Sequence, residues 1–407
     1  MSFSPVSIHQ KNPKWEICIT RENQLYRRTG IRSEFARDYT RILHCTAYRR
    51  LKHKTQVFSA PENDHICTRI EHVNHVASVS STIAKELGLN LELTSAIAIG
   101  HDLGHAPFGH QGEEILKDIV TAKKTNEPFW HEKNSLWFVD KIETLLDPHG
   151  KQRNLNLTYA VRDGIICHCG EVDENALFPR EEELDLLSDI DEPGKFQSIT
   201  WEGCVVKIAD KIAYLGRDIE DALRLKILTD DNIEDLKSIV KDILNFEVDI
   251  HEVNNTVLMN DFIIDLCKSS NPENGIRFSA EYLDLINSIK RFNYNHIYHH
   301  PRLEYYKKYS HLIINSIFDV LSSFYDRKKT LKGLNQHNTY PILIASFTDW
   351  LTKYSNVDLD LRKQRNYENK VIYDINNEEE YSRAIITYIS GMTDNFAVKV
   401  FKELIAF

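Results

Sequence analysis

Across 407 residues the chain carries only Gly 15 and Pro 11, about half the usual combined share of the two residues that break helices. So few breakers leave little material for the turns of a β-sandwich. They also leave too few glycines for a Gly-rich dinucleotide-binding α/β fold. An all-α chain is expected, with short β elements near the N-terminus. An apolar content of 42% is ample to offset chain entropy, so a disordered chain is excluded.

The helical rhythm is explicit from Arg69. Ile70, Val73, Val76, Ala77, Ser80, Ile83, Ala84 and Leu87 follow i, i+3, i+4 spacing, and Gly88 ends the run. Leu91 to Leu103 reads as a second helix, apolar on all sides at Ala96–Ile99 and therefore central to the core, with Gly104 and Pro107 marking its end. Further helices are expected from Gly109 through Ile119, over Leu136–Leu146, from Leu157 to Cys167 and from Cys204 to Leu225. Ile17–Thr20 and Thr55–Phe58 read as extended, the latter running into a turn at Ser59-Ala60-Pro61. Glu171–Gly194 reads as an acidic, solvated excursion. The expected organisation is an N-terminal segment (1–65), a catalytic core (66–235) and a helical C-terminal region of the same globular unit (236–407).

Charge narrows the partners. Lys+Arg 50 against Asp+Glu 60 gives a net charge of −10 with neutral histidine. An acidic protein does not attract nucleic acid through its overall field, so net charge does not support a single-stranded nucleic-acid partner. A polyanionic ligand would need a local basic pocket. The opening MSFSPVSIHQKNPKWE has no apolar core of signal-peptide type, and no run approaches the ~20 apolar residues of a membrane span. A cytoplasmic protein without a membrane partner is expected. The seven cysteines are odd in number and scattered. Cys167-His168-Cys169 lacks a second CxxC-like pair, so buried thiols are a better reading than zinc.

Four side chains far apart in sequence carry the chemical signal: His72, His101, Asp102 and Asp210. All lie on expected helices with apolar surroundings, where an unpaired carboxylate is costly. A divalent cation is the simplest compensation, because imidazole and carboxylate both ligate Mn, Fe, Zn or Mg-type ions. The alternative is a structural His–Asp pair with two unrelated buried polar groups. Next to this set runs His101-Asp102-Leu103-Gly104-His105-Ala106-Pro107-Phe108-Gly109-His110-Gln111-Gly112-Glu113. Its small residues allow a tight turn that returns the later side chains over the cation. His110 and Glu113 stand at i and i+3, a spacing suited to proton transfer. Arg69 and His72 share a helix face, as do Asp210, Tyr214 and Asp218 at i, i+4 and i+8.

These stretches resemble the HD-domain deoxynucleoside triphosphate triphosphohydrolases, the dGTPase family. The likeness is carried by Ala47-Tyr48-Arg49-Arg50-Leu51 with Lys54-Thr55-Gln56-Val57, Thr68-Arg69-Ile70-Glu71-His72, and the His101–Glu113 block. It continues through Asp163-Gly164-Ile165-Ile166-Cys167-His168 and Asp210-Lys211-Ile212-Ala213-Tyr214 with Asp218, and has a weaker echo at Tyr294–Tyr298.

The resemblance implies an HD-domain helical fold and hydrolysis of a dNTP to deoxynucleoside and inorganic triphosphate. It makes His72, His101, Asp102 and Asp210 ligands of one divalent cation (Mn, Mg or Fe). His110 supported by Glu113 becomes the acid–base pair, with His131 a second active-site histidine present in only some members. Arg69, His105 and Lys211 would bind the triphosphate, while Tyr214 and Asp218 would sit at the deoxyribose. Gln56 and Val57 match the place where ribonucleotides are excluded. Tyr298 either stacks on the base or packs, and His168 reads as a buried supporting histidine rather than a ligand. A homo-oligomer, tetramer or hexamer, with a dNTP effector at subunit interfaces is also implied. Two competing readings are another HD-type phosphohydrolase, a nucleotidase or phosphodiesterase, and a dNTP-sensing or nucleic-acid-binding module with little turnover.

Overall fold

The computed structural model describes residues 2–24, 30–58, 63, 65–125, 127–168, 176–244 and 255–406. Four helices form the centre: Arg69–Leu87, Leu91–Gly100, Tyr159–Cys167 and Trp201–Arg224 pack on one another, and Glu34–His44 covers Leu91–Gly100. The central position of Leu91–Gly100 follows from its composition, since Ala96, Ile97, Ala98 and Ile99 are all buried. Three of the central helices, Arg69–Leu87, Leu91–Gly100 and Trp201–Arg224, start at a side-chain cap. Glu71 accepts the Thr68 N–H at 2.7 Å, Asn90 accepts from Leu93 N at 3.1 Å, and Thr200 accepts from Gly203 N at 3.0 Å.

Several boundaries differ from the sequence expectation. Ile17–Thr20 is not extended; Trp15–Cys18 is a helical turn closed by Cys18 N–H to Lys14 O at 2.9 Å, and no strand among the described residues pairs with it. The second helix stops at Gly100, before Leu103, and His101 turns its ring back onto the Ala98 carbonyl. Leu136–Leu146 is not one helix. His131–Trp137 passes into a π-helical turn, Phe138–Ile142, and then into a strand, Thr144–Leu146, paired antiparallel with Gln152–Asn154. Asp147, accepting from His149 and Lys151 N–H groups, makes the connecting turn. The only sheet among the described residues thus lies here. Nearer the N-terminus there is an isolated bridge between Thr55 and Thr68.

Of the expected acidic excursion, residues 171–175 lie outside the described residues, as do Ser59, Ala60, Pro61 and Cys169. The remainder is anchored rather than fully solvated: Leu177, Leu186 and Ile190 are buried, and Arg180 is ion-paired with buried Asp163. The C-terminal helices return to the centre. Pro301–Ser323 packs on Gly109–Lys123, Glu378–Ser390 and Asp394–Ile405. Asp394 accepts backbone N–H groups from both Thr55 and Phe108 at 2.9 Å. No helix among the described residues is long and apolar enough to cross a membrane.

Candidate metal centre and acid–base cluster

Three central helices bring together the four side chains singled out above. His72 lies one turn into Arg69–Leu87, His101 and Asp102 follow directly on Leu91–Gly100, and Asp210 lies within Trp201–Arg224. His72 Nε2 is 2.9 Å from Asp210 Oδ1 and 4.0 Å from Asp102 Oδ2. His101 Nε2 is 3.8 Å from Asp102 Oδ2 and 3.9 Å from Asp210 Oδ1. Atoms that share a divalent ion stand at such separations.

The donor set fits a cation on chemical grounds. His101 Nδ1 meets the Ala98 carbonyl at 2.6 Å, an arrangement that places the proton on Nδ1 and a lone pair on Nε2. That Nε2 is buried without a hydrogen-bond partner, and burial lowers the ring's pKa to about 4, so it stays neutral. Both carboxylates remain charged. Burial opposes ionisation of Asp102, yet Arg69 and the nearby histidines hold it well below the usual range; His72 does the same for Asp210. An orphaned imidazole lone pair between buried Asp102 and partly exposed Asp210 is a site that could hold a metal ion.

Arg69 belongs to this site more closely than its spacing announced. Its guanidinium is buried, donates to Asp102 Oδ2 at 2.7 Å, and reaches the carbonyls of Thr55 and Gln56 at 3.2 Å each. Gln56 is itself buried with Oε1 unpartnered, whereas Val57 is half-buried against the core.

The block after Asp102 turns as its small residues require. Phe108 and Gly109 take left-handed backbone at φ 64 and 62. A Cβ on Gly112 would lie 1.8 Å from the Pro107 carbonyl oxygen. This close approach starts the Gly109–Lys123 helix with His110 facing outward, its side chain 62% exposed, and Glu113 facing inward.

Glu113 serves two histidines. Its Oε2 is 2.9 Å from His131 Nδ1 and 3.8 Å from His110 Nδ1, and Lys117 reaches Oε1 at 2.9 Å. His131 Nε2 lies 3.3 Å from Glu132. Burial disfavours charge on His131, but Glu132 and Glu113 prevail and push it up to about 10. Burial equally works against ionised Glu113, and His131 and His110 hold it well below the carboxylate range. His105 lies against His131 with centroids 4.6 Å apart. Both its ring nitrogens are buried without partners, and burial next to Arg69 keeps it neutral.

Further along Trp201–Arg224, Lys211 and Tyr214 are half-buried and Asp218 is buried. Tyr298 donates its hydroxyl to Asp218 Oδ2 at 2.5 Å, joining two residues that sequence reasoning considered separately. Burial pushes Asp218 up to about 7 despite that bond.

His168 is the residue whose position sequence reasoning undervalued. It is buried, its Nδ1 meets the Ile165 carbonyl at 2.6 Å, and its Nε2 has no partner. Its ring stands 4.9 Å from His101 and 5.9 Å from His131. The available signal was its place as the first residue after an apolar helix, the same place that His101 occupies.

Comparison with known proteins places the chain in a family. A family model described as HD domain matches residues 69–215. A deoxyguanosinetriphosphate triphosphohydrolase-like protein of Desulfatibacillum aliphaticivorans is 36% identical over 292 residues, 71% of this chain and 73% of that protein. One of the same description from Caldanaerobacter subterraneus subsp. tengcongensis is 32% identical over 374 residues, covering 92% and 85%. Another, from Rickettsia bellii, is 31% identical over 400 residues and covers 94% of each chain.

Proposed function

Because the chain belongs to the HD-domain deoxyguanosinetriphosphate triphosphohydrolase-like family, we propose that it hydrolyses deoxynucleoside triphosphates to deoxynucleoside and inorganic triphosphate. The observation that carries the proposal is the convergence of His72, His101, Asp102 and Asp210 within 2.9–4.0 Å contacts, next to the Glu113 cluster. These four residues would hold one divalent cation, Mn, Mg or Fe. Such an ion polarises a phosphoryl oxygen and lowers the pKa of water.

The remaining residues divide the work of binding and proton transfer. His110 is the proposed donor to the departing 5′-oxygen, since it faces the open side while Glu113 holds its Nδ1 edge. His131, which against the effect of burial is pushed up to about 10 by Glu132 and Glu113, is protonated near neutral pH. It serves as the second active-site histidine, a positive charge beside the phosphate that can share in protonating the 5′-oxygen. Arg69, His105 and Lys211 bind the triphosphate, and the neutral, unpartnered nitrogens of His105 suit that contact. Tyr214 meets the sugar, and Asp218 takes the 3′-hydroxyl with Tyr298 bonded to it. Gln56 and Val57 border the sugar edge and exclude ribose. A homo-oligomer with a dNTP effector completes the proposal, and light scattering with and without dNTP tests that part.

The main test incubates purified protein with Mn or Mg and each dNTP, beside monophosphates and cyclic nucleotides, and separates the products. Triphosphate with deoxynucleoside is the expected pair. Pyrophosphate with monophosphate, or turnover of the control esters alone, contradicts the proposal.

A further inference from the structure

His101 and His168 are built alike. Each is the first residue past an apolar helix, Leu91–Gly100 or Tyr159–Cys167. Each ring places Nδ1 at 2.6 Å from the carbonyl three residues earlier, Ala98 or Ile165. Each Nε2 is buried without a hydrogen-bond partner. A donated Nδ1 proton leaves a lone pair on Nε2, and burying an unused lone pair costs about 1–3 kcal/mol. His101 has an evident use for its lone pair in the cation site. His168 has none among the roles assigned so far.

Position indicates what His168 receives. It offers a ring nitrogen within 4.8 Å of ligand atoms of His101 and Asp210, and likewise of Asp102 and His131. It therefore stands between the metal centre and the acid–base cluster. It makes none of the 2.9–4.0 Å contacts that join the four ligands to one another. A gap wider than a direct contact but under 4.8 Å is what one water spans with two hydrogen bonds of about 2.8 Å.

We propose that His168 is a further catalytic residue, whose Nε2 accepts a hydrogen bond from the water that attacks the α-phosphorus. This inference rests on the hydrolytic reading above. The hydrogen bond points one water proton at His168 and leaves the oxygen lone pair free to face phosphorus. As the water oxygen bonds to phosphorus and the P–O5′ bond breaks, the water's proton passes to His168 Nε2 and the departing 5′-oxygen takes its proton from His110.

The test compares wild type, His168→Ala and His168→Gln by product-resolved turnover of dGTP, Mn affinity by calorimetry without nucleotide, and thermal unfolding. For His168→Ala, kcat is expected to fall about 10²-fold, with KM and Mn affinity nearly unchanged. Added imidazole restores part of the rate, which a purely structural role would not allow. His168→Gln keeps an acceptor at the site and retains more activity, so the comparison survives if the alanine variant folds poorly. Unchanged kcat in His168→Ala overturns the proposal, as does a folded His168→Gln that is no more active than the alanine variant. A tenfold or larger loss of Mn affinity also overturns it, by making His168 a cation ligand. A wild type that releases no triphosphate contradicts the substrate reading itself, whereas an active wild type beside an equally active His168→Ala contradicts only the role of His168.

Discussion

Arg69 donates to Asp102 at 2.7 Å across the first turn of the Arg69–Leu87 helix, and both side chains are almost fully buried. The pair locks one candidate ligand in its charged form and in one orientation. Removing one partner of a buried pair leaves an uncompensated charge, at a cost of about 3–5 kcal/mol. Partners that orient metal ligands typically contribute about 10–100-fold to metal affinity. Arg69→Met is therefore expected to lower the unfolding free energy by several kcal/mol and to weaken Mn binding at least tenfold, read by denaturant titration and calorimetry. Unchanged Mn affinity would show that Asp102 needs no such support.

Asp394 connects the C-terminal helices to the same structure. One carboxylate oxygen accepts the Thr55 N–H and the other the Phe108 N–H, each at 2.9 Å. Thr55 in turn gives its carbonyl to Arg69, and Phe108 is the left-handed residue that launches the helix bearing His110. Asp394→Ala leaves two buried donors unsatisfied, at about 1–3 kcal/mol each. The expected outcome is a lower melting temperature together with reduced kcat. Glu202→Gln is the control. Glu202 accepts from Ser7, Ile8 and Asn90 far along the chain, so that variant is expected to lose stability but not kcat.

Gly112 offers a sharper steric test. An added methyl would stand 1.8 Å from the Pro107 carbonyl oxygen, which no small adjustment relieves. Gly112→Ala is expected to cost about 3 kcal/mol and to displace His110 relative to Glu113. Gly333→Ala, where nothing lies within 4 Å of the added methyl, is expected to be neutral or slightly stabilising. Thermal melts of the two variants side by side check the contrast.

Asp218 sets a pH dependence. Its unfolded carboxyl ionises near the ordinary 3.8, whereas burial pushes the folded one up to about 7. Between those values the folded state binds more protons than the unfolded state, so stability falls as pH rises through this window. Asp218→Asn removes the dependence and is expected to stabilise the protein above pH 7 by on the order of 2 kcal/mol. The same variant is expected to raise KM for dNTPs through loss of the 3′-hydroxyl acceptor. Parallel stability curves for wild type and variant across the window would contradict the first expectation.

Much of this was legible in the sequence because it is local. The Ala96–Ile99 run forecast the central helix, and the punctuated block after His101 forecast a turn that returns onto the site. The even spacing of Asp210, Tyr214 and Asp218 placed them along one helix. What escaped depends on contacts between distant segments. Nothing near Arg69 says that its guanidinium will be buried against Asp102, and nothing near Asp394 says that it will hold Thr55 and Phe108. The Leu136–Leu146 stretch shows the same limit: its apolar pattern suits a helix, but the Asp147–Gly150 turn and the partner strand Gln152–Asn154 take its end into a ribbon. His168 was visible as a residue but not as a direction, since its aim depends on the ring's bond to Ile165.

The central claim is that four side chains between residues 72 and 210 grip a single divalent ion. Anomalous diffraction from crystals grown with Mn tests it without reference to activity. The account predicts one strong peak within bonding distance of His72, His101, Asp102 and Asp210 together. No peak there, or one bound by only a subset while Asp210 stands apart, would contradict it.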